Sequence, residues 1–363
     1  METLLHHTPG NPRNSEGCFE KLNDGTLVFA YTRYNGSHWD DECSADICLI
    51  RSTDGGVSWS EPEVIVKNKR QNVMSVSLLR LQDGRMGMVY LEKTMIGDTG
   101  WIDCRPWFTA SSDEMKSWST PVDIASVPAV YLCVLNNALV QLGNGRLICP
   151  GSFHRHKKRP RDFGRGIGLF FYSDDGGATW EQTPECCYPP QWSHSGLQEP
   201  GVVELKEDQL MAWFRTGNGC QYKSFSYDGG MSWSEVVPAT DFRSPASPMT
   251  LKRNPADGNL YAVWNDYHPA RSVNFDLALT RGSGQGIWTG GRTPLVLARS
   301  TDNGKTWSSH TILENAPDRG FGYTAMFFNG DDLLLAYCCG GAPDCQNMLQ
   351  DLKIKIVKWK ELA

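Results

Sequence analysis

The 363-residue chain has no apolar run near the roughly 18 to 20 residues that a membrane-spanning helix needs, so no helical span is expected. It also lacks a basic excess. Lys and Arg number 35 against 41 Asp and Glu, a formal charge of −6, which leaves no general field to attract nucleic acid or an anionic membrane surface. An anionic ligand would have to be met by a local cluster of arginines. The first ten residues lack the basic and apolar segments of a secretory signal, and the expectation is a cytoplasmic protein. Twelve cysteines then read as free thiols, because reducing compartments keep them so. None has Cys-x-x-Cys spacing, and His154-x-His156 has no ligand partner nearby; neither a metal site nor an organic cofactor is expected.

What the sequence has is repetition. Ser-x-Asp-x-Gly-x-x-Trp occurs at Ser52–Trp59, Ser173–Trp180, Ser226–Trp233 and Ser300–Trp307, and Ser111–Trp118 is a copy without the glycine. The five Asp residues, 54, 113, 175, 228 and 302, stand roughly sixty residues apart. In such a box the Ser and Asp side chains cap backbone N–H groups, Gly takes positive φ and Trp packs between strands, so these Asp residues are structural. A second repeat runs in step: an apolar run, a polar turn such as Asp24-Gly25, Asp83-Gly84 or Asn144-Gly145, and another apolar run, six times. Asp-Gly and Asn-Gly between apolar runs predict hairpins with type I′ turns. Four strands per unit and six units predict an all-β, six-bladed β-propeller with Asp-box turns, a single domain over residues 1–363. The last strand of unit six is expected from residues 352–359 or from the N-terminus, closing the ring.

That topology sends the boxes to one face. Loops between second and third strands, and connections between blades, go to the other. Arg13, Glu199 and Tyr323 are expected innermost there, at the starts of inner strands, with Arg215 and Arg292 one step outward.

Residues 198–205, Gln-Glu-Pro-Gly-Val-Val-Glu-Leu, followed by the strand ending at Arg215 and the box at Ser226, resemble the fourth-blade region of exo-sialidases. Arg292-Thr293-Pro294-Leu295 is similar to the stretch that carries their third substrate arginine, and Gly322-Tyr323-Thr324 to the segment with their tyrosine nucleophile. The resemblance implies a retaining exo-glycosidase acting on a carbohydrate with a carboxylate: Tyr323 attacks, Glu199 takes its proton, and Arg13, Arg215 and Arg292 clamp the carboxylate. Tyrosine suits such a substrate, because a carboxylate nucleophile would be repelled by the sugar's own acid group. By the same resemblance the general acid belongs to the loop at residues 38–46, as Glu42 or Asp41, with Asp46 structural. The first arginine is Arg13, with Arg33 as a rival. The Arg-Ile-Pro with which sialidases open their first blade is replaced by Arg13-Asn14-Ser15-Glu16, and their late glutamate by Ala336-Tyr337-Cys338, leaving Glu16 to hold the first arginine. These departures extend the implied substrates to other keto-acid sugars, such as deoxy-octulosonic and deoxy-nonulosonic acids.

Two other readings stay open on the sequence. One is a propeller lectin that keeps only the arginine clamp; the other is a polysaccharide lyase using Tyr323 as a base on a uronic acid. The basic run 154–161 reads as a solvated loop or a rim subsite, and Trp39, Trp101, Trp107, Trp192 and Trp288 as sugar platforms or packing.

Overall fold

Runs such as Leu27–Tyr34 show no polar alternation, and each becomes a strand buried on both faces between neighbouring blades. The computed structural model describes residues 2–128, 130–154, 165–266 and 291–362; the run 155–164 and Trp288 lie outside them. Blade one is β2 (Asn14–Lys21), β3 (Leu27–Tyr34), β4 (Ala45–Ser52) and β5 (Glu63–Val66), hydrogen-bonded in that order. Blade two is β6 (Asn72–Arg80), β7 (Met86–Met95), β8 (Ile102–Ser111) and β9 (Val122–Asp123). In blade three the inner strand is broken into β10 (Leu132–Cys133) and β11 (Val140–Gln141), both paired with β12 (Leu147–Phe153), followed by β13 (Ile167–Ser173) and β14 (Glu181–Gln182).

Blade four is β15 (Gln198–Lys206), β16 (Gln209–Arg215), β17 (Cys220–Ser226) and β18 (Val237–Arg243). Blade five is β19 (Thr250–Arg253), β20 (Leu260–Asn265), β21 (Leu295–Ser300) and β22 (Thr311–Glu314). Blade six joins β23 (Gly322–Asn329), β24 (Asp332–Cys338) and β25 (Leu352–Lys358) to β1 (Glu2–Leu5) as outermost strand. Both candidates for closing the ring are therefore used, since β25 is the third strand and the N-terminal segment the fourth. Phe29 and Ile50 of blade one pack on Leu334 and Ile354 of blade six across that seam, each buried side chain contributing about 1.5–3 kcal/mol.

The boxes form as expected. Ser52 Oγ accepts from Gly56 N at 2.8 Å, Asp54 accepts from Ser58 N at 2.9 Å, and Trp59 Nε1 donates to Gly56 O at 3.1 Å. The copy without glycine keeps the pattern, because Met115 takes φ 66° and donates to Ser111 Oγ at 2.9 Å. The hairpin turns correct the expectation. At Asp24-Gly25 only the glycine has positive φ; Gly25 N donates to Leu22 O at 3.0 Å and Leu22 N to Thr26 O at 2.8 Å. This is a type I turn closed by a glycine bulge, with Asp24 Oδ1 accepting from Thr26 N at 2.9 Å. Asp83-Gly84 and Asn144-Gly145 repeat it, so the acidic or amide side chain serves to cap the turn and does not itself occupy the left-handed region.

Candidate functional site

On the face away from the boxes, four inner strands begin with the same irregularity. A bulge interrupts the ladder between Ser15 and Cys18, Met74 and Ser77, Gln198 and Gly201, and Gly322 and Ala325. Inside each bulge one residue is left-handed: Glu16 (φ 50°), Ser75 (56°), Glu199 (42°) and Tyr323 (56°). Asn137 (59°) does the same in the broken inner strand of blade three. None of the five is glycine, and each costs of order 1 kcal/mol or more. The conformation changes which way a strand residue points, and it brings Glu16 to Ser75 and Glu199 to Tyr323, from different blades.

The contacts form two groups. Ser75 Oγ donates to Glu16 Oε2 at 2.5 Å, and Glu16 Oε1 accepts from Arg13 Nη2 at 3.0 Å. Arg13 is buried, stacks on the Tyr34 ring at 4.6 Å, and donates through Nη1 to Asp41 at 2.5 Å. In blade four, Arg215 sits across the ladder from Gln198 and donates to Glu199 Oε2 at 2.7 Å. Tyr323 donates its hydroxyl to Glu199 Oε1 at 3.1 Å, and Arg215 Nη1 lies 3.3 Å from the same hydroxyl. The Arg292 guanidinium lies 5.4 Å from the centre of the Tyr323 ring and donates to Ala246 O at 3.2 Å. Gly322 permits this approach, since a Cβ there would stand 3.2 Å from Arg292 Nη1.

Electrostatics divides the group. Burial and the neighbouring Glu199 push the Tyr323 hydroxyl well above the usual phenol range, against Arg215 and Arg292. A phenolate there would need a base in contact, and the Glu199 carboxylate is the acceptor that touches the hydroxyl. Burial would also raise the Asp41 carboxyl, but Arg13 and Lys93 outweigh it and hold it at about 2. Its side chain remains half exposed at the mouth of the funnel. Burial lowers Arg292 from the ordinary arginine value, and Arg215 adds to the effect.

Arg13, Asp41, Arg215, Glu199, Tyr323 and Arg292 are thus brought to one region. Glu42 is turned aside, its Oε1 3.5 Å from both Lys93 Nζ and Tyr131 Oη. Arg33 pairs with Asp46 in the blade-one ladder, while Arg13 takes the contacts to Glu16 and Asp41. Asp46 is a structural pin that accepts from Asn35, Lys67 and Asn68 N at 2.6–2.8 Å. Sequence reasoning missed Lys93. This buried lysine donates to Asp41 O at 2.9 Å and so holds the loop carrying Asp41; a lysine within the apolar run Met86–Met95 was the available signal. A separate cavity of about 300 Å³ between the inner strands of blades three to five is walled by Leu139, Val203, Trp213 and Leu251 and holds no such acid–base pair.

The model of the BNR repeat-like domain family matches residues 25–335. A sialidase from Clostridium perfringens is 26% identical over 238 residues, covering 60% of this chain and 59% of its own length. A Bacteroides fragilis sialidase is 23% identical over 342 residues, covering 84% and 56%. The chain thus spans less than three fifths of the length of these curated relatives. Among solved structures, the Hadza microbial sialidase Hz136 shares the fold with a TM-score of 0.72 at 18% identity, over 97% of this chain and 66% of that one.

Proposed function

The chain belongs to the BNR repeat-like domain family, and we propose that it is a retaining exo-glycosidase of sialidase type that releases a terminal sialic acid or related α-keto-acid sugar. The observation that carries this reading is the contact of the Tyr323 hydroxyl with Glu199 at 3.1 Å beside Arg215. Arg13, Arg215 and Arg292 bind the sugar carboxylate by charge-assisted hydrogen bonds. Tyr323 Oη attacks the anomeric carbon while its proton passes to Glu199. Asp41 gives a proton to the departing glycosidic oxygen, and a tyrosyl glycoside forms. Asp41, now a carboxylate, takes a proton from water, the water oxygen displaces Tyr323, and Glu199 returns the proton to the phenolate. Two inversions give net retention.

Asp41 is ionised in the free protein, so the cycle requires substrate binding to raise it. A substrate carboxylate at Arg13 competes for the charge that holds Asp41 ionised, and its own negative charge raises Asp41 further. The acid is therefore armed by the group it must accompany. Hydrolysis of a fluorogenic sialoside and of the corresponding octulosonide by the native chain, Tyr323→Phe and Glu199→Gln tests the reading. Turnover that survives both changes would overturn the mechanism. Tight binding of the keto-acid glycosides with no turnover would instead support the lectin, and an unsaturated uronate product the lyase.

A further inference from the structure

His7 follows the ring-closing strand β1, and Asp351 immediately precedes β25, the strand with which β1 pairs. Cys345 lies in the loop between β24 and β25, so all three meet at the seam that closes the propeller. His7 Nδ1 is 2.7 Å from Asp351 Oδ1, Cys345 Sγ is 3.4 Å from Asp351 Oδ2, and Cys345 Sγ is 4.0 Å from His7 Nδ1. The neighbouring His6 places Nδ1 3.5 Å from Asp351 Oδ2. Asp351 and Cys345 are buried, His7 is three-quarters covered and His6 is exposed.

The same three residues do not make a nucleophile relay. In a relay the imidazole would receive the thiol on one nitrogen and the carboxylate on the other, whereas here both contacts fall on Nδ1. They also differ from an ordinary ion pair, because two proton-bearing atoms, Nδ1 and Sγ, converge on one buried carboxylate. One divalent cation would replace those protons. With metal–sulfur bonds of about 2.3 Å and metal–nitrogen or metal–oxygen bonds of about 2.0–2.1 Å, tetrahedral ligand atoms stand roughly 3.3–3.6 Å apart. Cys345 Sγ already stands at 3.4 Å from Asp351 Oδ2 and at 4.0 Å from His7 Nδ1, within half an ångström of that range, while the 2.7 Å contact of His7 Nδ1 is to the other oxygen, Oδ1, and opens as the ion enters.

We propose that His7, Cys345 and Asp351, with water completing the tetrahedron, bind one divalent ion of the zinc type and staple the ring closure. The donor set of one imidazole, one thiolate and one carboxylate suits zinc over calcium or magnesium, which prefer oxygen alone. On binding, the Cys345 thiol proton leaves to solvent and His7 carries its remaining proton on Nε2. All three residues fall outside the stretch 25–335 matched by the family model. It also touches the functional face. Asn14 N donates to Gln350 O at 2.9 Å and Gln350 Nε2 to Pro12 O at 3.2 Å, so the segment that carries Arg13 is tied to the residue next to Asp351.

Cobalt titration of the untagged, metal-stripped chain tests the site, with metal content measured after dialysis. One Co²⁺ per chain with a thiolate charge-transfer band is expected. Cys345→Ser should abolish the band, and His7→Ala should weaken zinc binding by at least about tenfold. His310→Ala, at the unrelated His310–Asp266 pair, should leave binding unchanged. Zinc at a hundredfold excess over its Kd should raise Tm by about 3 to 4 °C in the native chain and not in Cys345→Ser. Circular dichroism of the metal-free variants shows whether they fold. Should one not, the native spectrum decides alone, and substoichiometric cobalt or the absence of a thiolate band would overturn the proposal.

Discussion

The two faces of the propeller use one backbone conformation for opposite ends. On the box face, left-handed φ is mostly assigned to glycine, as at Gly56 (95°), Gly177 (92°) and Gly230 (92°), where it costs little and the hydrogen bonds close within four residues. On the axial face it is assigned to Glu16, Ser75, Asn137, Glu199 and Tyr323, where it is strained, and the bonds span 59 residues for Ser75–Glu16 and 124 for Tyr323–Glu199. The first arrangement makes a stable turn and nothing more. The second spends folding energy to turn polar side chains of different blades towards one another, as strained backbone at functional sites generally does.

The largest effect should come from the axial face. Tyr323→Phe keeps the ring and removes the hydroxyl, and should lower kcat by roughly 10³-fold or more with Tm within about 2 °C of the parent. Glu199→Gln should cost roughly 10²–10⁴-fold. Near-native kcat in either variant would break the contrast between the faces. Arg215→Lys retains charge but loses the Nη1 that contacts both Glu199 and Tyr323 and the planar fork suited to a carboxylate, and a fall in kcat/KM of roughly 10–100-fold is expected by steady-state kinetics.

The box face should behave in reverse. Gly56→Ala forces a side chain into φ 95° with its Cβ 3.1 Å from Ile356 Cδ1, and should lower stability by about 1–2 kcal/mol in urea titration while kcat is unchanged. A loss of kcat without loss of stability there would mean that the faces are coupled.

Asp41 sharpens the comparison through pH. Its folded carboxyl, held near 2 by Arg13 and Lys93 against burial, lies below the ordinary 3.8. Its stabilising contribution is therefore present above about pH 4 and lost as pH falls towards 2. The Tm difference between the parent and Asp41→Asn should shrink across that window, modestly, because solvent screens a half-exposed carboxylate. Smallest of all, Asn303→Gly at the box of blade five should stabilise by a few tenths of a kcal/mol, since Asn already tolerates φ 60°.

Much of the architecture is legible in the amino-acid sequence. The boxes declare themselves because Ser52, Asp54, Gly56 and Trp59 satisfy one another locally, so their spacing is fixed and repeats. The positions of Glu199, Arg215, Arg292 and Tyr323 are legible through resemblance and through the topology that sends strand starts to one face. Three things are not. Asp-Gly serves type I′ turns and bulged type I turns alike, and the choice between them rests on how many residues separate the strands. Between Asp41 and Glu42, one residue apart in a loop, only the packing against Arg13 on one side and Lys93 with Tyr131 on the other distinguishes them. Lys93 is marked out as a lysine within an apolar run, but its role is not, because its partner loop lies about fifty residues upstream.

The sequence by itself determined six repeats, where their turns fall, and hence a closed β ring, because hairpins and boxes are built from bonds a few residues long. Tertiary structure decided which side chains meet at the axis. The bulge at Glu16 joins Arg13 to Ser75 of the next blade, and the bulges at Glu199 and Tyr323 turn those two residues onto each other. The last of these contacts joins residues 124 positions apart in different blades, and no local pattern encodes a distance that exists only once the ring has closed.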